Sequence, residues 1–246
     1  MAQRFKRSQG GVRPASGLPL FEMPEAPRID PQIKSRQRVR DLAEVYTHER
    51  EVNAMLDLVP DMFPSIEDPE NVDRSFLEPA CGSGNFLVEI LRRKLAFITK
   101  HRYGSAERVE DRMLRALSSI YGIDISVDNV LESRDRMRAI VEEIADAELG
   151  AGSGSQGFAE AVEVILTTNV IQADTLAEAD EIELIEYASE GDGTFIREWT
   201  KPLSASKADL TLFFTDPPRD ERPVHYSEFA RQTMPATADS YDQRAA

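Results

Sequence analysis

The feature that most constrains this chain is the stretch FLEPACGSGNFLVEIL, residues 76–91, in which a glycine-rich turn separates two apolar runs. The first run, Phe76-Leu77, suits a short strand, and the second repeats apolar residues at helical spacing. This order predicts a strand, a tight turn and a helix. Gly82 and Gly84 lack a Cβ atom, so the turn can adopt positive φ angles and a ligand can approach its backbone. A tight turn that binds no ligand is the alternative interpretation.

Periodic segments follow one another along most of the remaining chain. We expect the helices near 47–59, 106–119, 127–148 and 158–165, and the strands at 120–126, 169–176 and 208–214, with two more strands around a turn within 181–200. Thr47 is the expected N-cap of the first helix, and Pro60 is expected to end it. Strands that alternate with helices predict an α/β domain with a mostly parallel sheet, which binds its ligand beyond the carboxyl ends of the strands.

The two ends of the chain differ from its middle. Residues 1–37 contain five prolines and no periodicity, which predicts a disordered, basic arm. Residues 38–219 form the expected folded domain. Residues 220–246 are polar, and we expect a flexible tail there.

Charge is distributed unevenly over the sequence. The net charge is −15, but residues 1–40 hold nine Lys/Arg and three Asp/Glu, a balance of +6 that leaves −21 for the rest. An acidic body repels phosphate backbones at long range. If the chain acts on nucleic acid, the basic arm or a partner protein must help it to bind. An ordinary acidic surface explains the same charge.

Several classes of protein and site are disfavoured. No apolar run approaches the roughly 20 residues that span a bilayer, and the N-terminus lacks the apolar segment of a secretory signal. Cys81 is the single cysteine, so no disulfide can form within the chain, and packing is its expected role. His48, His101 and His225 lack metal-ligand spacing and are expected at the surface. The sequence therefore predicts a cytoplasmic protein without a membrane or metal partner.

Three acidic residues at the ends of predicted strands narrow the choice of ligand. Leu87 stands where a dinucleotide fingerprint has its third glycine, which weakens a pyrophosphate interpretation. A carboxylate at Glu78 repels phosphate and favours a cation. Asp124 is placed for ribose hydroxyls, and Asp174 for an adenine amino group. A ligand with a positive centre, a ribose and an adenine but no phosphate is S-adenosylmethionine.

These residues also resemble a known family. FLEPACGSGNFL is similar to the first motif of the DNA amino-methyltransferases, in particular the modification subunits of restriction-modification systems. AEVYTHEREVNAML at 43–56 resembles the preceding motif, with Ala43 and His48 in place of the usual glycine and proline, and YGIDIS and NVIQADTL resemble the second and third motifs. The resemblance implies a Rossmann-like class I methyltransferase fold, truncated at its C-terminal side, and cofactor contacts at Tyr46, Thr47, Glu78, Ala80, Gly82, Gly84, Asn85, Phe86, Asp124, Ile125, Asp174 and Thr175.

The catalytic motif departs from the family pattern. The family ends its fourth strand in Asn/Asp-Pro-Pro followed by an aromatic residue, whereas this chain has Asp216-Pro217-Pro218-Arg219. Asp216 can accept hydrogen bonds from a target amino group, and the Arg219 guanidinium can stack on a base in place of the aromatic ring. A surface turn is the alternative interpretation, because Asp before Pro is good turn chemistry.

The resemblance implies transfer of a methyl group from S-adenosylmethionine to the amino group of adenine in DNA. Only 27 residues follow Arg219, too few for a target-recognition domain, so we expect a specificity or nuclease partner to select the DNA site. Two alternatives remain open. The chain could be a cofactor-binding but catalytically silent subunit of a restriction or phage-defence complex, or it could methylate a protein glutamine or a small molecule.

Overall fold

The computed structural model describes residues 47–203 and 217–236. Its first sheet contains three parallel strands, β1 (Phe76–Glu78), β2 (Ile120–Asp124) and β3 (Val170–Gln172), with β2 in the centre. Glu78 lies opposite Gly122, and Asp124 lies opposite Gln172. The prediction of an α/β domain with a parallel sheet is confirmed, and the carboxyl ends of all three strands meet at one edge.

The described residues contain six helices in addition to the strands. They are α1 (Glu49–Leu56), α2 (Asn85–Leu95), α3 (Lys100–Tyr103), α4 (Ala106–Ser118), α5 (Val127–Leu149) and α6 (Gln156–Asn169), with a 3-10 turn at Pro60–Met62. Ser105 and Ser155 cap α4 and α6 by accepting backbone N–H groups of the first turn, which satisfies donors that the helix itself cannot. The described helices lack the length and apolar character that crossing a membrane requires.

Some boundaries differ from the sequence expectations. His48 rather than Thr47 is the N-cap of α1, and that helix ends before Pro60 because Asp57 closes it. The helix expected at 158–165 extends over 156–169, since Ser155 starts it earlier and the apolar stripe continues through Ile165 and Leu166. The expected strand 169–176 shortens to β3, because α6 includes residue 169 and Asp174 closes a turn after the strand.

The core lies between the parallel sheet and the apolar faces of the helices. The apolar faces of α4, α2 and α6 are fully buried, with these residues pointing inward: Val109, Met113, Leu114, Leu117, Leu87, Leu91, Ile165 and Leu166. A fully buried aliphatic side chain contributes about 1.5–3 kcal/mol, so these faces hold the helices on the sheet. The glycine-rich turn is therefore attached to a packed scaffold.

A second sheet is antiparallel. Strands β4 (Leu184–Gly191) and β5 (Thr194–Thr200) form a hairpin whose turn, Asp192-Gly193, has positive φ at both residues. This confirms the two strands and the turn expected within 181–200. The third strand, β6 (Val224–His225), pairs with β5, and a 3-10 turn at Tyr226–Glu228 follows it. Ile182 and Leu184 pack with Tyr121 and Ile123 of β2.

The flexible tail expected over 220–246 is wrong for residues 220–236. Val224, Tyr226 and Phe229 are buried, and the Tyr226 hydroxyl donates a hydrogen bond of 2.6 Å to Glu110 on α4. Asp220 forms an ion pair with Arg197 of β5. The polar composition predicted mobility, but three buried side chains and one buried ion pair hold this segment in place. Residues 237–246 and the arm at 1–37 lie outside the described residues.

Lys94 is buried although it stands in a basic stretch of the sequence, RRKLAFITKHR at 92–102. The Lys94 ammonium lies beneath α2 and donates to the carbonyls of Val72 (2.7 Å) and Arg74 (2.6 Å) and to the Ser119 hydroxyl (2.7 Å). Burial lowers the pKa of Lys94 to about 7, and the Asp73 carboxylate partly opposes that shift because it favours the charged amine. Lys94 therefore serves the fold and is not available to nucleic acid.

This lysine should give the protein a pH-dependent stability. Between pH 7 and the unfolded pKa of 10.5, the unfolded chain holds a proton that the folded chain has lost, so the free energy of unfolding rises with pH. We expect wild type to gain stability over Lys94→Met between pH 7 and 9, by at most about 1.4 kcal/mol per pH unit. Urea unfolding at several pH values measures this difference, and a difference that stays flat or falls with pH would contradict it.

Candidate functional site

The glycine-rich loop, defined here as residues 79–84, joins β1 to α2 at the carboxyl edge of the parallel sheet. The Cys81 N–H donates to the Ile123 carbonyl at 2.8 Å, and the Gly84 N–H donates to the Cys81 carbonyl at 2.9 Å. Gly82 and Gly84 have φ angles of 55° and 84°, so the positive φ expected for this turn is present. The loop is thereby fastened to the end of β2.

The glycines differ in what surrounds them. A Cβ at Gly84 would lie 2.7 Å from the Ser133 hydroxyl, and a Cβ at Gly122 would lie 2.6 Å from Leu87. Close packing with α5 and α2 therefore requires glycine at these two positions. A Cβ at Gly82 would meet no heavy atom within 4 Å. The space in front of Gly82 is open, as a ligand that contacts this backbone would need.

Asp124 connects the end of β2 to the loop. Its Oδ2 accepts from the Gly82 N–H at 2.8 Å, and its Oδ1 accepts from the Ser126 N–H at 2.8 Å and from the Asn129 amide at 3.1 Å. An ionised carboxylate has about four acceptor positions, so these bonds leave roughly one for another donor. Asp124 thus positions the loop, a role that the sequence did not indicate, and it keeps limited capacity for a hydroxyl group.

Glu78 ends the neighbouring strand β1, and Ala80 lies in the loop that follows it. Glu78 is half-buried at the last position of β1, and its Oε1 accepts a long hydrogen bond of 3.3 Å from the Ala80 N–H. Ile125, which follows Asp124, leaves 51% of its surface exposed at the same edge. A carboxylate and an exposed apolar side chain therefore lie at the sheet edge that carries the loop.

Asp174 and Thr175 follow β3 by two and three residues. The Asp174 Oδ1 accepts from the N–H groups of Leu176 (2.9 Å) and Ala177 (3.0 Å), so this oxygen closes a turn. The Asp174 N–H donates to Glu178 at 2.9 Å. Asp174 lies at the expected sheet edge. Its Oδ1 is used by the turn, whereas its Oδ2 accepts no hydrogen bond within that turn.

The start of the described chain contacts Asn85, the residue that follows the loop. The Asn85 amide donates to the Thr47 carbonyl at 2.9 Å, which places Thr47 beside the first residue of α2. Phe86 is partly buried against the core. Tyr46 lies outside the described residues. Of the two residues expected from the motif that precedes the loop, Thr47 is therefore near it.

Two residues of α5 that the sequence analysis missed also bind the loop. The Ser133 hydroxyl donates to the Gly82 carbonyl at 3.0 Å, and the Arg136 guanidinium donates to the Ser83 carbonyl at 2.5 Å. Arg136 also borders a cavity of about 330 Å³ between α1 and α2, together with Glu49 and Glu89. Ser133 and Arg136 are three residues apart and so lie on one face of α5, which is a signal that the sequence contains. A search for apolar stripes does not detect it, because both residues are polar.

Cys81 is buried inside the loop. Burial, reinforced by the nearby Asp124 and Glu78 carboxylates, raises the pKa of its thiol to about 12. A protonated, enclosed thiol is a weak nucleophile. This agrees with the packing role expected for Cys81, and a Cβ at Gly122 would come within 3.3 Å of its sulfur.

The candidate catalytic segment is described from Pro217 onward, and Asp216 and the strand expected at 208–214 lie outside the described residues. Pro217 and Pro218 are exposed, and the Pro218 carbonyl accepts from the Trp199 N–H at 2.8 Å. Arg219 forms an isolated antiparallel backbone bridge with Glu198 of β5. The described part of the segment therefore lies along the C-terminal end of β5, in the second sheet. This end of β5 pairs with the first residues of β4.

We compared the chain with known protein families, curated proteins and solved structures. No protein-family model, curated protein or solved structure matches this chain. Residues 47–203 and 217–236 also contain no group of three or more His, Cys, Asp or Glu side chains arranged to hold a metal ion.

Proposed function

We propose that this chain binds S-adenosylmethionine at the glycine-rich loop and transfers its methyl group to the amino group of adenine in DNA. The observation that carries the proposal is the open space in front of Gly82, at the sheet edge where Glu78 and Asp124 end adjacent parallel strands. Open α/β sheets bind ligands at this place.

The chemistry of the edge favours a cationic nucleoside over a phosphorylated one. Glu78 presents a carboxylate next to the loop, and the Gly82 N–H that a phosphate would use already donates to Asp124. Phosphate groups bind free N–H groups and cations, and they are repelled by carboxylates. A sulfonium centre suits this environment, and the exposed Ile125 side chain offers an apolar surface for a purine ring.

In the proposed reaction the amino nitrogen of adenine attacks the methyl carbon of the sulfonium. The new N–C bond forms as the S–C bond breaks, the electron pair stays on sulfur to give S-adenosylhomocysteine, and a proton leaves the nitrogen for water. This step depends mainly on in-line positioning. Asp216 would accept a hydrogen bond from the amino group, and the carbonyl of Pro217 would accept the second, since that of Pro218 is bound to Trp199.

The charge of the chain implies that DNA binding needs assistance. The body outside residues 1–40 carries a net charge of −21, which opposes a phosphate backbone. We infer that the basic arm, or a specificity or nuclease partner, supplies the cations. Methylation should then depend steeply on salt and on the partner.

Incubation with S-adenosylmethionine labelled in the methyl group and unmethylated DNA, with and without candidate partners, tests this function. We expect label on adenine in wild type and a loss of at least about 100-fold in Asp216→Ala, because a misplaced amino group slows an in-line transfer. Asp68→Ala, which changes an exposed loop carboxylate, serves as the matched control. Equal labelling in Asp216→Ala and wild type would exclude the catalytic role of Asp216.

A catalytically silent, cofactor-binding subunit is the second candidate. Arg219 stands where the family has an aromatic residue, and it pairs with Glu198 along β5, which favours a structural role for this segment. Tight cofactor binding without label on DNA under any partner combination would support this second function.

A further inference from the structure

The geometry around the loop points to a positioning residue that no motif contains: we propose that Arg136 of α5 holds the glycine-rich loop and Thr47 in the arrangement that binds the cofactor. This inference rests on the proposed function. Arg136 is half-buried, and one nitrogen, Nη1, donates to both the Ser83 carbonyl (2.5 Å) and the Asn85 side-chain oxygen (2.9 Å). It therefore bonds the loop and the first residue of α2 together.

Helix α5 fixes two successive carbonyls of the loop. Ser133 binds the carbonyl of Gly82, and Arg136, one helical turn further on, binds the carbonyl of Ser83. The peptide bonds are trans, so each carbonyl that faces α5 directs the N–H of the following residue away from that helix. Ser133 and Arg136 thus determine which way the peptide groups of the loop face.

Arg136 also determines the orientation of the Asn85 amide. A guanidinium has donors only, so the Asn85 group that faces Arg136 must be the oxygen. The amide nitrogen consequently faces the opposite way, where it donates to the Thr47 carbonyl at 2.9 Å. Arg136, Asn85 and Thr47 form a relay that joins three separate segments of the candidate site.

The role of Arg136 is geometric rather than electrostatic. Its positive charge would oppose a sulfonium, so an electrostatic contribution to cofactor binding would be unfavourable. The hydrogen bonds of Arg136 go to the protein itself, so it acts on the ligand through the loop and through Asn85. It is a positioning residue and not a catalytic one.

The first test compares Arg136→Met with Arg138→Met. Arg138 lies two residues further along α5 and pairs with Glu163 and Asp135 on the surface, away from the loop. We expect Arg136→Met to weaken S-adenosylmethionine binding about tenfold or more, as expected for lost charge-assisted hydrogen bonds, and Arg138→Met to leave it unchanged. Arg136→Lys, which keeps the charge but loses the planar fork, should rescue only partly. Equal affinity in wild type and Arg136→Met would overturn the proposal.

A double-mutant cycle separates positioning from general damage. If the relay is one unit, Asn85→Ala and Arg136→Met together should weaken binding no more than the more damaging single change. Fully additive losses would overturn the relay.

Hydrogen–deuterium exchange of the ligand-free protein supplies a readout that does not require the cofactor. We expect faster exchange over residues 81–88 in Arg136→Met, and unchanged exchange in α4 and α6. If wild type fails to bind S-adenosylmethionine, the proposed function fails, while this exchange pattern still decides the role of Arg136. Unchanged exchange over 81–88 would overturn the proposal.

Discussion

Arg197→Met should lower the free energy of unfolding by about 3–5 kcal/mol. The side chains of Arg197 and Asp220 are 1% and 0% exposed, and Nε lies 2.8 Å from the carboxylate. Removal of the guanidinium leaves the Asp220 charge buried and unpaired. Few interactions cost a protein more to break.

The ion pair joins β5 to residues that are distant in sequence. Beyond Asp220, the Arg197 guanidinium donates to the carbonyls of Gln232 and Met234, and it lies 5.2 Å from the Trp199 ring centroid. Asp220 in turn accepts from the Ala236 N–H at 2.6 Å. Arg197 therefore holds the segment that follows Pro217 and Pro218 against the second sheet.

Urea unfolding measures this effect, with Arg138→Met as a surface control that should change stability by less than about 1 kcal/mol. The double variant Arg197→Met/Asp220→Leu should recover part of the loss, because it removes the stranded charge. A loss below about 1 kcal/mol in Arg197→Met would contradict the assignment of a buried, fully bonded pair.

Gly82→Ala should weaken S-adenosylmethionine binding by about 10- to 100-fold, since an added methyl group in a filled contact costs roughly 1–3 kcal/mol. The protein itself has room for this methyl group, because no heavy atom lies within 4 Å of the added Cβ. The N–H that donates to Asp124 is kept. The expected loss therefore comes from the ligand side of the loop.

Gly104→Ala controls for backbone strain in the same experiment. Gly104 also has a positive φ, of 80°, and open space in front of its Cβ position. Each variant should lose at least about 1 kcal/mol of stability, because a residue with a Cβ atom disfavours positive φ. Only Gly82→Ala should lose affinity by calorimetric titration. Equal affinity in the two variants would show that the ligand does not approach Gly82.

Short-range sequence patterns predicted the glycine-rich loop, helix α4 and the hairpin. The loop at Gly82 and Gly84 was predictable because positive φ angles and close approach select glycine. The α4 stripe and the hairpin turn at Asp192-Gly193 followed from periodicity and from turn preferences. These signals extend over a few residues, so a single sequence contains them in full.

Contacts between distant residues were not predictable in the same way. Lys94 and Arg197 look like surface cations in the sequence, and only the three acceptors around Lys94 and the carboxylate of Asp220 show why they are buried. Asp124 was expected to face a ribose, yet it also fastens the loop. Such charges are buried only where the fold supplies partners from elsewhere in the chain.

Calorimetric titration of S-adenosylmethionine into the full chain measures whether this sheet edge binds a cationic nucleoside, with NAD as the phosphate-bearing comparator. We predict saturable binding at a single site, competition by S-adenosylhomocysteine and no binding of NAD. A flat titration with S-adenosylmethionine, or tighter binding of NAD, would contradict the assignment of this sheet edge to a cationic nucleoside.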